Sequence, residues 1–224
     1  MTDWDAYWRA VIADPQRLAR ERCSGSASAF FHFVDWLPRE EWKRVLVVGC
    51  GVSTEMRAMS AVGYEVLAID VSGVAIEHLQ TTRYLRAEVA WWFQRRRDPT
   101  SDLNVYLSPE EALAKLEGFR RDGGSLEVRC CDFREVSETS FDIVYCPWSW
   151  HCLDDEARRE LPRACAKWLV PGGAVRIATY NMTAEGAAEL EAAFATVGIQ
   201  YAGHDALVRL AAGDRLYDVY NFSG

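Results

Sequence analysis

Three positions in this chain have the residue types and spacing to hold a nucleoside. The first is the loop Val48-Gly49-Cys50-Gly51-Val52-Ser53, which follows a β-branched run and precedes a helical pattern. Glycines there let the backbone turn sharply and let a ligand approach the main-chain amides. The third glycine of a dinucleotide fingerprint is missing, with Ser53 near its place and Met56 beyond, so a pyrophosphate has a less open cradle. The second position is Asp70, followed by Val71. It ends the next apolar run about twenty residues on, where a carboxylate accepts from both hydroxyls of a ribose. The third is Asp132-Phe133, an acid that can accept from an adenine amino group beside a ring that can stack on the base. Each has a plain alternative: a tight turn, a helix cap for which Ser72 competes, and a loop acid beside a core aromatic.

A second set of residues suits an acceptor site. Tyr145, Trp148, Trp150, His151, Asp154 and Asp155 cluster just after another apolar run. His151 is the candidate general base, because an ordinary histidine titrates near neutrality; an inert, hydrogen-bonded loop histidine is the alternative. Tyr145 is the second catalytic candidate. Trp148 and Trp150 either line an apolar acceptor pocket or pack an insertion against the sheet. Arg95-Arg96-Arg97 beside Trp91-Trp92-Phe93 reads as a lid whose arginines, Arg95 first, bind an acceptor anion. The pattern favours the plainer reading, a solvated helix end with a buried aromatic side. His32, His78 and His204 have no visible partners in the pattern. The seven cysteines lack zinc-knuckle or redox-pair spacing and read as reduced, small apolar residues, with no metal implied.

These residues need a scaffold, and the pattern supplies one. Residues 1–43 read as a helical cap: a helix carrying Trp4, Trp8, Val11 and Ile12 capped by Thr2 or Asp3, a second from Pro15 to Cys23, and a third with Phe30, Phe31, Val34 and Leu37. From Arg44 the rhythm becomes strand–helix–strand–helix: strands at 44–49 and 65–70, helices at 54–62 and 72–85, with short loops, which implies a parallel sheet. Residues 84–124 break it and read as an insertion or lid, with a helix from Pro109 to Phe119 that Ser108 and Glu111 box. The alternation resumes with strands at 126–131, 141–146 and 174–179, helices at 154–169 and 184–197, and a turn at Pro171-Gly172-Gly173. A closing pair of strands follows near 206–210 and 216–222. The whole is expected to be one domain, with its core at 44–83 and 125–224.

The chain resembles class I S-adenosylmethionine-dependent methyltransferases. Val45-Leu-Val-Val-Gly-Cys-Gly51 resembles that family's glycine loop, Asp70 its ribose acid and Asp132 its adenine-side acid. Phe141-Asp-Ile-Val-Tyr-Cys146 resembles the strand leading to the catalytic edge. Trp168-Leu-Val-Pro-Gly-Gly-Ala174 resembles the Leu-x-Pro-Gly-Gly turn, which dehydrogenases do not usually show. Within that superfamily Cys50-Gly-Val-Ser-Thr-Glu-Met56, Gly63, Ser72, Ile76 and Ser125-Leu-Glu-Val-Arg-Cys-Cys131 are similar to the thiopurine methyltransferase branch, as are Trp4 and Trp8 in the cap. The departures are Val47, where the superfamily often has an acid, and, from the branch, the 84–124 insertion and the Cys146–His151 segment. The resemblance implies an α/β, Rossmann-like, seven-stranded and mostly parallel sheet with helices on both faces. It implies S-adenosylmethionine as cofactor, S-adenosylhomocysteine as product, and cofactor contacts from Gly49, Cys50, Gly51, Asp70, Val71, Asp132, Phe133 and Cys146. The implied reaction is methyl transfer to a small thiol, amine or hydroxyl.

Composition narrows the partners. With 25 basic against 33 acidic residues the formal net charge is −8, which argues against nucleic acid or anionic lipid. No apolar stretch is long enough for a bilayer, and the N-terminus lacks a leader pattern, so a cytoplasmic location is expected. Two rival readings stay open on the residues alone: a nicotinamide-dependent oxidoreductase and a non-catalytic S-adenosylmethionine-binding module.

Overall fold

A computed structural model describes residues 2–23, 42–53, 55–61, 63–82, 95–97, 104–106, 123–180, 182–207 and 217–224. The expected cap helix around Phe30–Leu37, the aromatic run Trp91–Phe93 and the insertion helix at 109–119 lie outside these residues, as does the side chain of Arg95.

Strands β1 (Arg44–Val48) and β2 (Glu65–Asp70) are runs of β-branched and aliphatic residues buried almost throughout, as strands covered on both faces must be. They pair in parallel with each other, β2 with β5 (Ser125–Cys130), β1 with β6 (Phe141–Pro147), and β6 with β7 (Leu169–Tyr180). Strands β8 (Gln200–Leu207) and β9 (Tyr217–Ser223) are antiparallel to each other, and β9 is antiparallel to β7. The seven-stranded order is β5-β2-β1-β6-β7-β9-β8. Its direction reverses between β1 and β6, the switch point where such sheets bind ligands beyond the carboxyl ends of their strands.

Helices α1 (Trp4–Ala13) and α2 (Pro15–Cys23) start the chain; Asp3 caps α1 and Pro15 opens α2 as expected. Helices α3 (Glu55–Ala61) and α4 (Gly73–Thr81) make the crossovers on the β1–β2–β5 side. Helices α5 (Asp155–Trp168) and α6 (Ala184–Ala195) belong to the other half. Right-handed crossovers away from the switch point put the two sets on opposite faces. On the α5–α6 face, Leu161, Cys165, Trp168, Leu190 and Phe194 pack on Leu46, Ile69, Val144, Cys146, Ile177 and Phe222 in one core. At the amino edge Asp142 accepts from the Lys43 and Arg44 N–H groups, each at 2.8 Å, which ties the start of β1 to β6.

Three local expectations change. Arg95–Arg97 is not a helix end but a short strand, β3, paired antiparallel with β4 (Asn104–Tyr106). Pro171-Gly172-Gly173 lies within β7, looped out where the register with β6 shifts between Phe141↔Leu169 and Ile143↔Ala174. The first closing strand begins at Gln200, earlier than the hydrophobic pattern suggests, because β9 supplies the pairing that its polar residues do not signal.

Candidate active site

The carboxyl edge around the switch point gathers most of the expected residues. After β1 the chain enters left-handed backbone at Gly49 (φ 73°) and Gly51 (φ 52°), a region costly for residues with a Cβ. Side chains from elsewhere use the space the glycines leave. A Cβ built on Gly49 would lie 2.6 Å from Cβ of Ser149, and one on Gly51 would lie 2.5 Å from Cζ2 of Trp8. The loop amides are also committed. Gly49 and Cys50 N–H donate to the Ile69 carbonyl at 2.9 and 3.0 Å, and Gly51 N–H donates to Asp70 Oδ2 at 2.8 Å. The expectation that these amides face a ligand is therefore corrected: they stitch the loop to β2, because the reversal after β1 lays them over its last residues.

Asp70 ends β2 with its carboxylate buried; Oδ1 accepts from Ser72 N–H at 2.9 Å. Burial raises its pKa above the ordinary carboxylate range, opposed by the Ser72 and Gly51 amides. The cap of α4 falls to Ser72, whose Oγ accepts from Ala75 N–H at 3.2 Å, so Asp70 is not a helix cap. A carboxylate has about four acceptor positions, and two amides leave room for two more donors. Val71, next in the chain, is 51% exposed, an apolar side chain held in the open at the sheet edge.

Asp132 caps a single 3₁₀ turn (Phe133–Glu135): Oδ1 accepts from Arg134 N–H at 2.9 Å, and Oδ2 lies 3.1 Å from the Arg134 guanidinium. That guanidinium also pairs with Glu160 on α5, which fixes the loop to the helix. The Phe133 ring is only 6% exposed and meets Trp168 edge-on at 6.4 Å. Its expected stacking on a base is corrected: the 3₁₀ turn directs the ring into the core.

The segment after β6 is the other half of the site. Trp148 holds a left-handed backbone (φ 55°) with its N–H donating to the Ala178 carbonyl at 2.9 Å, and it is half-buried. Strained backbone of this kind clusters at functional sites. Ser149 Oγ–H donates to the Val48 carbonyl at 3.0 Å, joining this segment to the glycine loop. His151 sits in the 3₁₀ turn Trp150–Cys152, half-buried, with Arg158 donating to the Trp150 and His151 carbonyls. Burial, then the Arg158 charge, holds its pKa below the ordinary histidine value, so the imidazole is neutral at neutral pH. Two expectations are corrected here. Trp150 is 5% exposed and faces Phe194 at 6.4 Å, so it is a core residue rather than a pocket wall. Tyr145 is fully buried in mid-strand, registered with Val47 and Arg176, and cannot touch an acceptor. Cys146 is also fully buried, and burial raises its thiol pKa far up.

The sequence pattern did not single out Asp5, Ser149 or Arg134. Asp5 lies between Trp4 and Trp8, but nothing in its own segment names the distant Ser72 it meets. Ser149 and Arg134 act through partners 101 and 26 residues away, separations that periodicity does not read.

Solved structures share this architecture. The N-methyltransferase NodS of Bradyrhizobium japonicum, with bound S-adenosylhomocysteine, aligns with a TM-score of 0.64 at 11% identity, covering 100% of this chain and 99% of that one. The 1,6-didemethyltoxoflavin-N1-methyltransferase of Burkholderia thailandensis aligns at 0.61 and 16%, covering 98% and 86%. A TehB-like S-adenosylmethionine-dependent methyltransferase of Corynebacterium glutamicum aligns at 0.59 and 15%, covering 97% of each. A comparison with curated protein sequences finds no match. The sequence profile of thiopurine S-methyltransferase matches residues 4–186, a span that takes in the cap, the glycine loop, both acids and the Trp148–His151 segment. On that match, carried by the seven-stranded fold, this chain belongs to the thiopurine S-methyltransferase family and is an S-adenosylmethionine-dependent methyltransferase.

Proposed function

We propose that this enzyme methylates a small-molecule thiol, amine or hydroxyl by in-line displacement at the carboxyl edge between β1 and β6. The observation that carries the reading is the Ser149 bond to Val48, which sets the Trp148–His151 segment directly against the loop whose Gly51 N–H donates to Asp70. S-adenosylmethionine, when bound, supplies a methyl on a sulfonium centre, an electrophile that needs no further activation. The residues present fit it. Asp70 has acceptor capacity left for ribose hydroxyls, and Val71 offers an exposed apolar surface beside that carboxylate. Gly49, Cys50 and Gly51 bound the turn, Asp132 borders the adenine side, and Phe133 and Cys146 contribute backbone and shape.

On the acceptor side Trp148 presents an amphipathic ring that excludes water, and neutral His151 takes a proton at a ring nitrogen when the acceptor carries one. A thiolate acceptor needs no such base. The family's name places a sulfur on a heteroaromatic ring first among acceptors to try. Arg95 stays a candidate for an acceptor anion. A small-molecule partner, no nucleic acid, no membrane and a cytoplasmic location complete the reading. Two observations accord with it: the net charge of −8, and that no helix among the described residues is long and apolar enough to cross a membrane.

The test is turnover. Purified protein with S-adenosylmethionine and a panel of small thiols, amines and phenols is expected to release S-adenosylhomocysteine with at least one acceptor. Tight S-adenosylhomocysteine binding with no turnover on any of them would favour a binding module instead.

A further inference from the structure

Asp5 is a residue of α1 whose carboxylate serves another element. Its Oδ1 accepts from Ser72 Oγ–H at 2.7 Å and from Val74 N–H at 3.3 Å, so it caps α4 from a distant part of the chain. Ser72 in turn donates its N–H to Asp70. One turn further along α1, the Trp8 indole lies on Gly51, whose N–H is the other donor to Asp70. Helix α1 therefore rests on both residues whose amides hold the Asp70 carboxylate.

Among the described residues, α1 is otherwise seated by a few apolar side chains. Val11 is the buried residue of α1, and Trp4, Tyr7 and Trp8 are half-buried. The Asp5 side chain is 42% exposed and has Arg9 at 3.8 Å as its other partner. The Ser72 hydroxyl holds its pKa below the ordinary value, which keeps it charged and accepting at neutral pH. Ser72 itself is buried, at 1% exposure, so the contact opens from the Asp5 side, where the carboxylate reaches water.

We propose that Asp5 is a positioning residue that latches α1 across the glycine loop, holding Trp8 over the cofactor edge and slowing cofactor escape. The inference rests on the assignment of that edge to S-adenosylmethionine. The latch differs from a static cap in its kinetics: losing it speeds release while leaving entry and the fold in place.

Stopped-flow measurement of S-adenosylhomocysteine release tests it, on wild type, Asp5→Ala, Asp5→Asn and Asp5→Lys. Release from Asp5→Ala is expected to be about tenfold faster. Asp5→Asn keeps an oxygen that accepts from both donors and stays within about twofold of wild type. Asp5→Lys puts a cation at the α4 N-terminus and releases fastest. Bound S-adenosylhomocysteine is expected to protect Arg9 and Arg17 from trypsin in wild type but not in Asp5→Ala. A release rate independent of the residue at position 5, with tryptic protection unchanged, overturns the latch. Failure of wild type to bind S-adenosylhomocysteine overturns the cofactor assignment instead, whatever the variants do.

Discussion

Asp70 and His151 carry opposite burdens for the same physical reason. Each is partly or wholly withdrawn from water, which penalises its charged form. For Asp70 the Gly51 and Ser72 amides oppose that cost. For His151 the nearby Arg158 adds to it, so the neutral imidazole is favoured in the folded protein. Its folded pKa lies below the unfolded one, so the unfolded chain takes up the proton first as pH falls. The stability associated with neutral His151 is complete above the ordinary histidine value and is lost as pH drops from there toward the folded pKa. As a base, His151 stays available below about pH 6.5, the ordinary value. For an acceptor that must lose a proton, the acid limb of turnover is therefore expected below that pH. His151→Ala is expected to lower kcat about a hundredfold and remove that limb, with cofactor affinity nearly unchanged. Steady-state kinetics across pH check this; full kcat in the variant removes His151 as base.

Among the elements, the loop after β1 is the one on which the site turns. Its two left-handed glycines admit Ser149 from one side and Trp8 from the other, so it is packed between the Trp148–His151 segment and α1. A Cβ at position 51 would meet both left-handed strain and the indole. Gly51→Ala is thus expected to cost about 2 kcal/mol, roughly 1 of it from backbone strain. Trp8→Ala in the same chain is expected to recover more than about 0.5 kcal/mol of that loss. Urea unfolding of the two single variants and the double variant measures the coupling. Strict additivity would mean that the ring does not rest on the loop in solution.

At the scale of the whole molecule, a ligand bound only to the folded state stabilises the entire domain. S-adenosylhomocysteine at a hundredfold above its Kd contributes about 2.7 kcal/mol. For a domain of this length that raises Tm by roughly 5–10 °C. NAD at the same concentration is expected to leave Tm in place. Differential scanning fluorimetry separates the two, and a shift with NAD alone would restore the oxidoreductase reading.

Local chemistry is legible in the sequence. Buried strands show as apolar β-branched runs, Asp3 and Pro15 announce helix starts, and Asp70 stands at the end of the second buried strand. The seven-stranded class followed from the alternation and the family resemblance, because each depends on short-range pattern. Which way a side chain turns depends on partners that come together only on folding. Phe133 and Trp150 look like ligand aromatics in the sequence, yet Trp168 and Phe194 draw both into the core. The amides of the glycine loop look open, yet β2 claims them. Asp5 looks like an ordinary first-turn acid, and only the seating of α1 on the sheet gives it Ser72.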